Sequence, residues 1–295
     1  MKPFLIEIKQ DNPALNQFIG AWVCLGDHNM VVDVGPSNSV KRLLHSLAER
    51  DVKRVDYVLL THVHIDHSGG LADFLDHYPM ARVICHDNGL RHVVDPSRLW
   101  AGSRRVLGDL ADDYGPVKPV DKGRIIPHSQ ANIRDLLIID TPGHAHHHLS
   151  FIYEEHLFPG EAAGNYFRRD HREYLRPATP SRFFLRECLM SIDRLLAHED
   201  LPICYAHFGK AESAHRMLNL FRNQLLRWEE WIKEEISVGH DHLVERCYEK
   251  LLKKDRHLSA IGAFSPEFQR REQLLTANSI LGFIEYLEKV RLNIL

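Results

Sequence analysis

Apolar and polar positions alternate in two textures along the chain. Up to about residue 209, short apolar runs are broken by polar turns. Met1–Lys9 alternates like a strand, and Phe18–Leu25 and Met30–Val34 predict two more, joined at Gly26-Asp27-His28-Asn29. Val55–Leu60, Leu136–Asp140, Ser150–Tyr153, His156–Phe158 and Leu201–Ala206 predict further strands. Ser39–Arg50 predicts a helix, because Val40, Leu43, Leu44 and Leu47 fall on one face behind a polar start. Gly69–His77 and Ser181–Ala197 predict two more. Strands interleaved with helices predict layered α/β packing. Beyond Gly209 the period changes: Met217, Phe221, Leu225, Trp228 and Ile232 form one stripe of a long helix. Leu243–Lys254 and Thr276–Val290 share that period. The expected division is an α/β region over 1–209 and an all-helical region over 210–295. No Pro/Gly/Ser linker separates them, so the helices are expected to dock on the first region.

Composition narrows the function classes. The 295 residues are 44% hydrophobic and 26% charged, which excludes disorder for the bulk of the chain. Lys+Arg 37 against Asp+Glu 40 leaves a net charge of -3, so binding nucleic acid by neutralising phosphates is not expected. The longest apolar runs are too short to span a bilayer, so no membrane partner is expected. The first residues read as a strand rather than a signal peptide, and the expected location is cytoplasmic. Cys24, Cys85, Cys188, Cys204 and Cys247 are scattered and never in CxxC spacing, which argues for inert thiols. Histidine is abundant at 21 residues, and it is the commonest metal ligand.

The chemistry concentrates in Thr61-His62-Val63-His64-Ile65-Asp66-His67-Ser68-Gly69-Gly70, directly after the apolar run Val55–Leu60. In an extended chain His62 and His64 point to the same side. Asp66 and His67 are expected after a turn, before a helix opened by the two glycines. Imidazole and carboxylate without thiolate suit zinc, iron or manganese. Other ligand candidates also follow short apolar runs beside glycine: His144 in Thr141-Pro142-Gly143-His144, Glu161 in Pro159-Gly160-Glu161, and His207 in Tyr205-Ala206-His207-Phe208-Gly209. That recurrence is what a site built on loops over a rigid sheet requires.

These motifs resemble those of the metallo-β-lactamase superfamily. The matching elements are an early Asp in Val31-Val32-Asp33-Val34-Gly35, the HxHxDH run from His62 to His67, TPGH ending at His144, Glu161 in its Gly-flanked turn, and His207-Phe208-Gly209. They run in the family's order over about the first 210 residues. The resemblance implies an αββα sandwich of two sheets with helices outside and metals at one edge. It implies two metal ions, with His62, His64 and His144 on the first, Asp66, His67 and His207 on the second, and Glu161 bridging. Zinc is the expected ion, with iron or manganese as alternatives. Asp33 and His148 are implied to orient ligands without binding metal. The bridging position is usually Asp, and a Glu there has one more methylene. A shift of ligand from His144 to His146 stays open.

The ligand set implies a hydrolase. Two divalent ions roughly 3.5–4 Å apart can bridge a hydroxide and polarise a carbonyl or phosphoryl oxygen. Asp66 can orient that hydroxide and take a proton. A small-molecule thioester or other carboxylic ester is the expected substrate. Phosphodiester, sulfate ester and lactone hydrolysis, or a metal-bound protein with a binding role, are the alternatives. Tyr166 and Arg168 follow Glu161 and could bind an acidic group, or be a packed Tyr and a solvated Arg. The helical region could line an acyl pocket, pack on the sandwich, or form a homodimer contact through Trp228 and Trp231.

Overall fold

The computed structural model describes residues 2–292. In chain order the strands are β1 (Phe4–Glu7), β2 (Gly20–Cys24), β3 (Met30–Val32), β4 (Tyr57–Leu59), β5 (Arg82–Cys85), β6 (Ile125–Pro127), β7 (Leu137–Asp140), β8 (Leu149–Tyr153), β9 (His156–Phe158), β10 (Asn165–Arg169), β11 (Arg172–Arg176), β12 (Ile203–Cys204) and β13 (Lys210–Ala211). The helices are α1 (Val40–Glu49), α2 (Ile65–Ser68), α3 (Leu71–His77), α4 (Leu90–Val94), α5 (Ser97–Leu107), α6 (Asp109–Tyr114), α7 (Leu185–Leu196), α8 (Ala214–Val238), α9 (Leu243–Lys254), α10 (Arg256–Ser259) and α11 (Pro266–Arg291). No helix among the described residues is long and apolar enough to cross a membrane.

The chain forms two compact units that interleave along the sequence. The first takes the chain up to Asp140, then His147–Gly160 and Pro202–Lys210. It contains a six-stranded sheet of order β1-β2-β3-β4-β5-β6 and most of a five-stranded sheet of order β13-β12-β9-β8-β7. Strands β3 to β6 run parallel, with Val31 opposite Val58 and Val58 opposite Val83. Parallel strands covered on both faces need continuous apolar runs, and all three residues of β3 are buried. Between the sheets Trp22, Met30, Leu59 and Ile84 pack with Leu149, Phe151, Phe158 and Cys204. Burying side chains of this size stabilises by about 1.5–3 kcal/mol each. This is the two-sheet core of an αββα sandwich.

The second unit takes Thr141–His146, Glu161–Leu201 and the chain from Ala211 on. It joins the β10–β11 hairpin and α7 with α8, α9, α10 and α11. Helix α8 starts at Ser213, whose hydroxyl accepts from the Arg216 N–H. It buries the predicted stripe, Met217, Phe221, Leu225, Trp228 and Ile232. Trp228 is fully buried, its Nε1 donating to Asp255 Oδ2 at 2.8 Å, so that candidate contact residue is covered by its own chain. Gly282 lets α11 approach the loop before α7, since a Cβ there would lie 1.9 Å from the Thr179 carbonyl oxygen.

Several predicted boundaries move. The helix expected over Gly69–His77 is α3, which starts at Leu71, and a separate turn, α2, precedes it, where the His64 carbonyl accepts from the His67 and Ser68 N–H groups. Asp66 and His67 lie on that turn, ahead of α3 as expected. Helix α11 begins ten residues before Thr276, capped by Ser265 with Pro266 in its first turn. The buried ionic side chains Arg271 and Glu272 hide that first part from an apolar-periodicity reading. Leu201–Ala206 yields only the two-residue β12, where Pro202 has no N–H to give. Asn165–Arg169 and Arg172–Arg176, where no strand is expected from the sequence, pair as a hairpin. Strands β5 and β6 and helices α4 to α6 fall outside the predicted elements; α5 is amphipathic but buries none of its residues.

Candidate metal centre

Strand β4 ends at Leu59, and the chain runs straight into Thr61 and His62. Asp33, just past β3 and buried, sits at φ +55, a left-handed conformation that Asp tolerates better than most residues. There its carboxylate is a hub. Oδ1 accepts from the Thr61 N–H (2.9 Å), and Oδ2 accepts from Thr61 Oγ1 (2.8 Å) and His67 Nδ1 (2.9 Å). A carboxylate can only accept, so His67 Nδ1 carries a proton, and in the neutral ring its Nε2 carries the lone pair. The Thr61 hydroxyl donates to Asp33, so its oxygen accepts from His62 Nδ1 (3.0 Å). The lone pair of His62 Nε2 then meets His64 Nδ1 at 3.0 Å.

The same direction repeats at His207. Its ring stacks on Phe18 (4.2 Å, 15°), and its Nδ1 lies 3.3 Å from the Phe18 carbonyl oxygen, which fixes the proton there. His67 Nε2 and His207 Nε2 each lie 3.5 Å from Asp66 Oδ2. Asp66, His67 and His207 can thus offer three ligand atoms within 4.8 Å of one another. The two rings are 3% exposed and Asp66 is 17% exposed, so the carboxylate is the accessible member.

The second unit carries a matching pair. His144 Nδ1 donates to the Ala178 carbonyl (2.9 Å), and its Nε2 lies 2.7 Å from Glu161 Oε2. Here too a lone pair is aimed at a carboxylate oxygen, and both side chains are buried. Acceptors facing acceptors repel unless a proton or a cation lies between them. The hydrogen bonds to Asp33, Phe18 and Ala178 hold these rings as metal ligands are held elsewhere, with the far nitrogen donating. The donors are imidazole and carboxylate, which suits zinc, iron and manganese alike. These buried clusters of His, Asp and Glu have the composition of a dimetal site.

A sequence profile described as the metallo-beta-lactamase superfamily matches residues 21–207, more than half of the chain. The chain belongs to the metallo-beta-lactamase superfamily. A metallo-beta-lactamase fold-containing protein of Sulfurisphaera tokodaii is 29% identical over 221 residues, 72% of this chain and 78% of that protein. The crystal structure of an archaeal metallo-beta-lactamase superfamily protein from Sulfolobus tokodaii superposes with a TM-score of 0.64 at 27% identity. That superposition covers 75% of this chain and 86% of the other. A hydroxyacylglutathione hydrolase of Salmonella paratyphi A is 28% identical over 192 residues, 63% of this chain and 60% of that enzyme. An atrochrysone carboxyl ACP thioesterase of Emericella nidulans is 26% identical over 172 residues, 54% of this chain and 47% of that enzyme.

Within this metallo-beta-lactamase fold the other candidates are placed as follows. His148 is buried, its ring 5.2 Å from that of His62. Gly160, at φ +57, allows this approach, because a Cβ there would lie 2.5 Å from His148 Nε2 and 2.9 Å from Thr61 Cβ. Tyr166 is buried in the second unit and donates to Glu173 Oε1 (3.0 Å). Arg168 is exposed, its Nε donating to the Asp170 carbonyl (2.9 Å). His146 is exposed, 3.8 Å from Glu187. Cys24, Cys85, Cys188, Cys204 and Cys247 are all buried and outside any disulfide, and burial pushes the Cys24 and Cys85 thiols up to about 12.

Two groups escaped the sequence reading. His86, His128 and Asp140 form another ligand-type cluster in the first unit, with His86 Nε2 3.1 Å and His128 Nε2 3.3 Å from Asp140 Oδ1. His86 directly follows β5, so the strand-end pattern applied above also marks it. The second group, Asn165, Arg176 and Glu272, spans more than a hundred positions and has no local signature.

Proposed function

We propose that this protein is a dinuclear metal-dependent hydrolase acting on a thioester or other carboxylic ester of a small molecule. In this reading His62, His64 and His144 hold one ion, Asp66, His67 and His207 hold the other, and Glu161 serves both. The observation that carries it is the shared ring orientation. His67, His207 and His144 each spend Nδ1 on an oxygen acceptor and aim Nε2 at a carboxylate. Divalent ions bound there would supply Lewis acidity toward a carbonyl oxygen and a water made acidic near neutral pH. The zinc ion is the expected occupant, with iron or manganese as alternatives.

The chain's own residues supply orientation and proton handling. Asp33 and Thr61 lock the His67 and His62 rings before any ligand arrives, so binding costs little side-chain ordering. Asp66, the accessible carboxylate, lies 3.5 Å from two imidazoles and can hold the proton that a leaving thiolate or alkoxide must recover. Two relatives carry acyl-transfer names, a hydroxyacylglutathione hydrolase and an ACP thioesterase, and this chain spans 60% and 47% of their lengths. They support an acyl rather than a phosphoryl substrate.

The test is turnover of acyl thioesters by metal-loaded protein. Hydrolysis that vanishes on chelation and in His64→Ala, with the circular dichroism spectrum unchanged, is expected. Loaded protein that cleaves phosphodiesters or sulfate esters but no acyl substrate would overturn the substrate class. Loaded protein that turns over none of them would leave a binding role.

A further inference from the structure

Glu161 is gripped through the oxygen that does not face His144. With the Asn165 amide turned so that both of its ends are satisfied, its nitrogen donates to Glu161 Oε1 (3.2 Å) and its oxygen accepts from Arg176 Nη2 (3.0 Å). Arg176 Nε donates to Glu272 Oε2 (2.5 Å), and Nη1 donates to the Pro177 carbonyl (3.2 Å). The other Glu272 oxygen accepts from Arg271 Nε (2.8 Å), whose guanidinium lies over the Phe268 ring at 4.6 Å. Asn165, Arg176, Arg271 and Glu272 are each 4% exposed or less. Burying so many charges is costly, and apolar side chains of similar volume would often be as stable. Stability alone is therefore a weak reason for this chain of contacts.

Its geometry supplies a better one. Asn165 and Arg176 are direct partners across the β10–β11 hairpin, so the register delivers both side chains to one face. A Glu has one more rotatable bond than an Asp, and an unheld carboxylate would sweep several positions. The amide of Asn165 removes that freedom and leaves Oε2 as the one oxygen directed at His144. The far end of the chain of contacts is Glu272, on α11.

We infer that Asn165 and Arg176 are positioning residues that fix Glu161 as a one-oxygen metal ligand, and that α11 takes part in metal binding through Glu272. This rests on the reading of Glu161 as a ligand. The burial of Arg176 opposes its charge, but Glu272 first, then Tyr174 and last the more distant Glu161 favour it, and the guanidinium stays charged.

The test is zinc affinity, measured by chelator competition on the full chain, for the parent protein, Asn165→Ala, Arg176→Lys, Glu161→Gln and Asn165→Ala/Glu161→Gln. Asn165→Ala leaves the Arg176–Glu272 pair in place, so it should fold with a metal-free melting temperature close to the parent's. Its affinity should fall roughly 10–100-fold, as for other residues that hold a ligand. The double variant should bind no more weakly than Glu161→Gln alone, because both changes act through one carboxylate. Arg176→Lys keeps the charge but not the fork and should also lose affinity. Folded Asn165→Ala and Arg176→Lys with parental affinity would overturn the inference while leaving Glu161 a ligand. Additive losses in the double variant would overturn it too. A parent protein that takes up no zinc would instead overturn the ligand reading beneath it. Should Asn165→Ala fail to fold, Asn165→Ser carries the same comparison.

Discussion

Asp66 with His67 and His207, and Asp140 with His86 and His128, use the same side chains in the same unit of the fold. Each pair of imidazoles has its Nε2 atoms within 3.5 Å of one carboxylate oxygen. The difference lies on the far side of the rings. His67 and His207 give their Nδ1 protons to Asp33 and to the Phe18 carbonyl, so their Nε2 atoms arrive as lone pairs. His86 instead accepts the Asn88 N–H on Nδ1 (3.0 Å), which leaves the proton on Nε2 and points it at Asp140. His128 Nδ1 lies 3.1 Å from the Asp87 N and 2.8 Å from Asp87 Oδ1, so the contrast rests on His86, whose ring stacks on that of His128 at 4.5 Å. The first cluster turns two Nε2 atoms toward one carboxylate, an arrangement that a cation would suit. The second can satisfy itself with hydrogen bonds. Ligand types within reach of one another do not make a metal site; the partner of the other ring nitrogen decides.

The comparison can be broken most sharply by removing a ring from each cluster. His67→Ala should abolish ion binding at its cluster and lower hydrolysis by roughly a thousandfold, since an ion contributes several kcal/mol to the transition state. His86→Ala should leave both within about twofold. Parallel activity assays check this, and equal losses would erase the distinction. The next effect belongs to the hub. Asp33→Asn keeps the shape but weakens the hold on His67, and metal affinity should fall roughly 10–100-fold in chelator competition, while Asp140→Asn leaves it unchanged.

Smaller effects sharpen the surroundings. Gly160→Ala places a methyl group against His148 and Thr61 at a positive φ, and should cost about 1–3 kcal/mol of stability in urea unfolding. The smallest effect is pH dependence. Burial, then the neighbouring His128, holds the His86 pKa below its ordinary 6.5. The unfolded chain therefore binds the proton more readily than the folded one. The stability His86 contributes is complete above about pH 6.5 and declines as pH falls toward its folded value. His86→Gln should flatten the slope of unfolding free energy against pH in that window, and an unchanged slope would place the titration elsewhere.

Most of the centre was legible because each ligand candidate follows a short apolar strand and sits beside glycine. His62, His64, Asp66 and His67 follow one apolar run ahead of Gly69-Gly70, and His144, Glu161 and His207 follow others with a glycine within two positions. The rule lacked any account of ring direction, so it could not separate His67 from His86, which also ends a strand. Asn165, Arg176 and Glu272 were illegible for another reason. Their partnership depends on hairpin register and on a helix a hundred residues away, and a buried charge reads in sequence as a solvated one. The buried stripe of α8 was read in full, since one amphipathic period fixes it locally, whereas the first ten residues of α11 were lost where Arg271 and Glu272 interrupt that period.

The central claim is that the His67 cluster takes metal and the His86 cluster does not. Elemental analysis of tag-free protein purified without chelator, beside the His86→Ala/His128→Ala variant, tests it directly. The account predicts about two equivalents of zinc, iron or manganese per chain in both proteins. A parent protein without metal even after reconstitution, or an equivalent lost with His86 and His128, would contradict it.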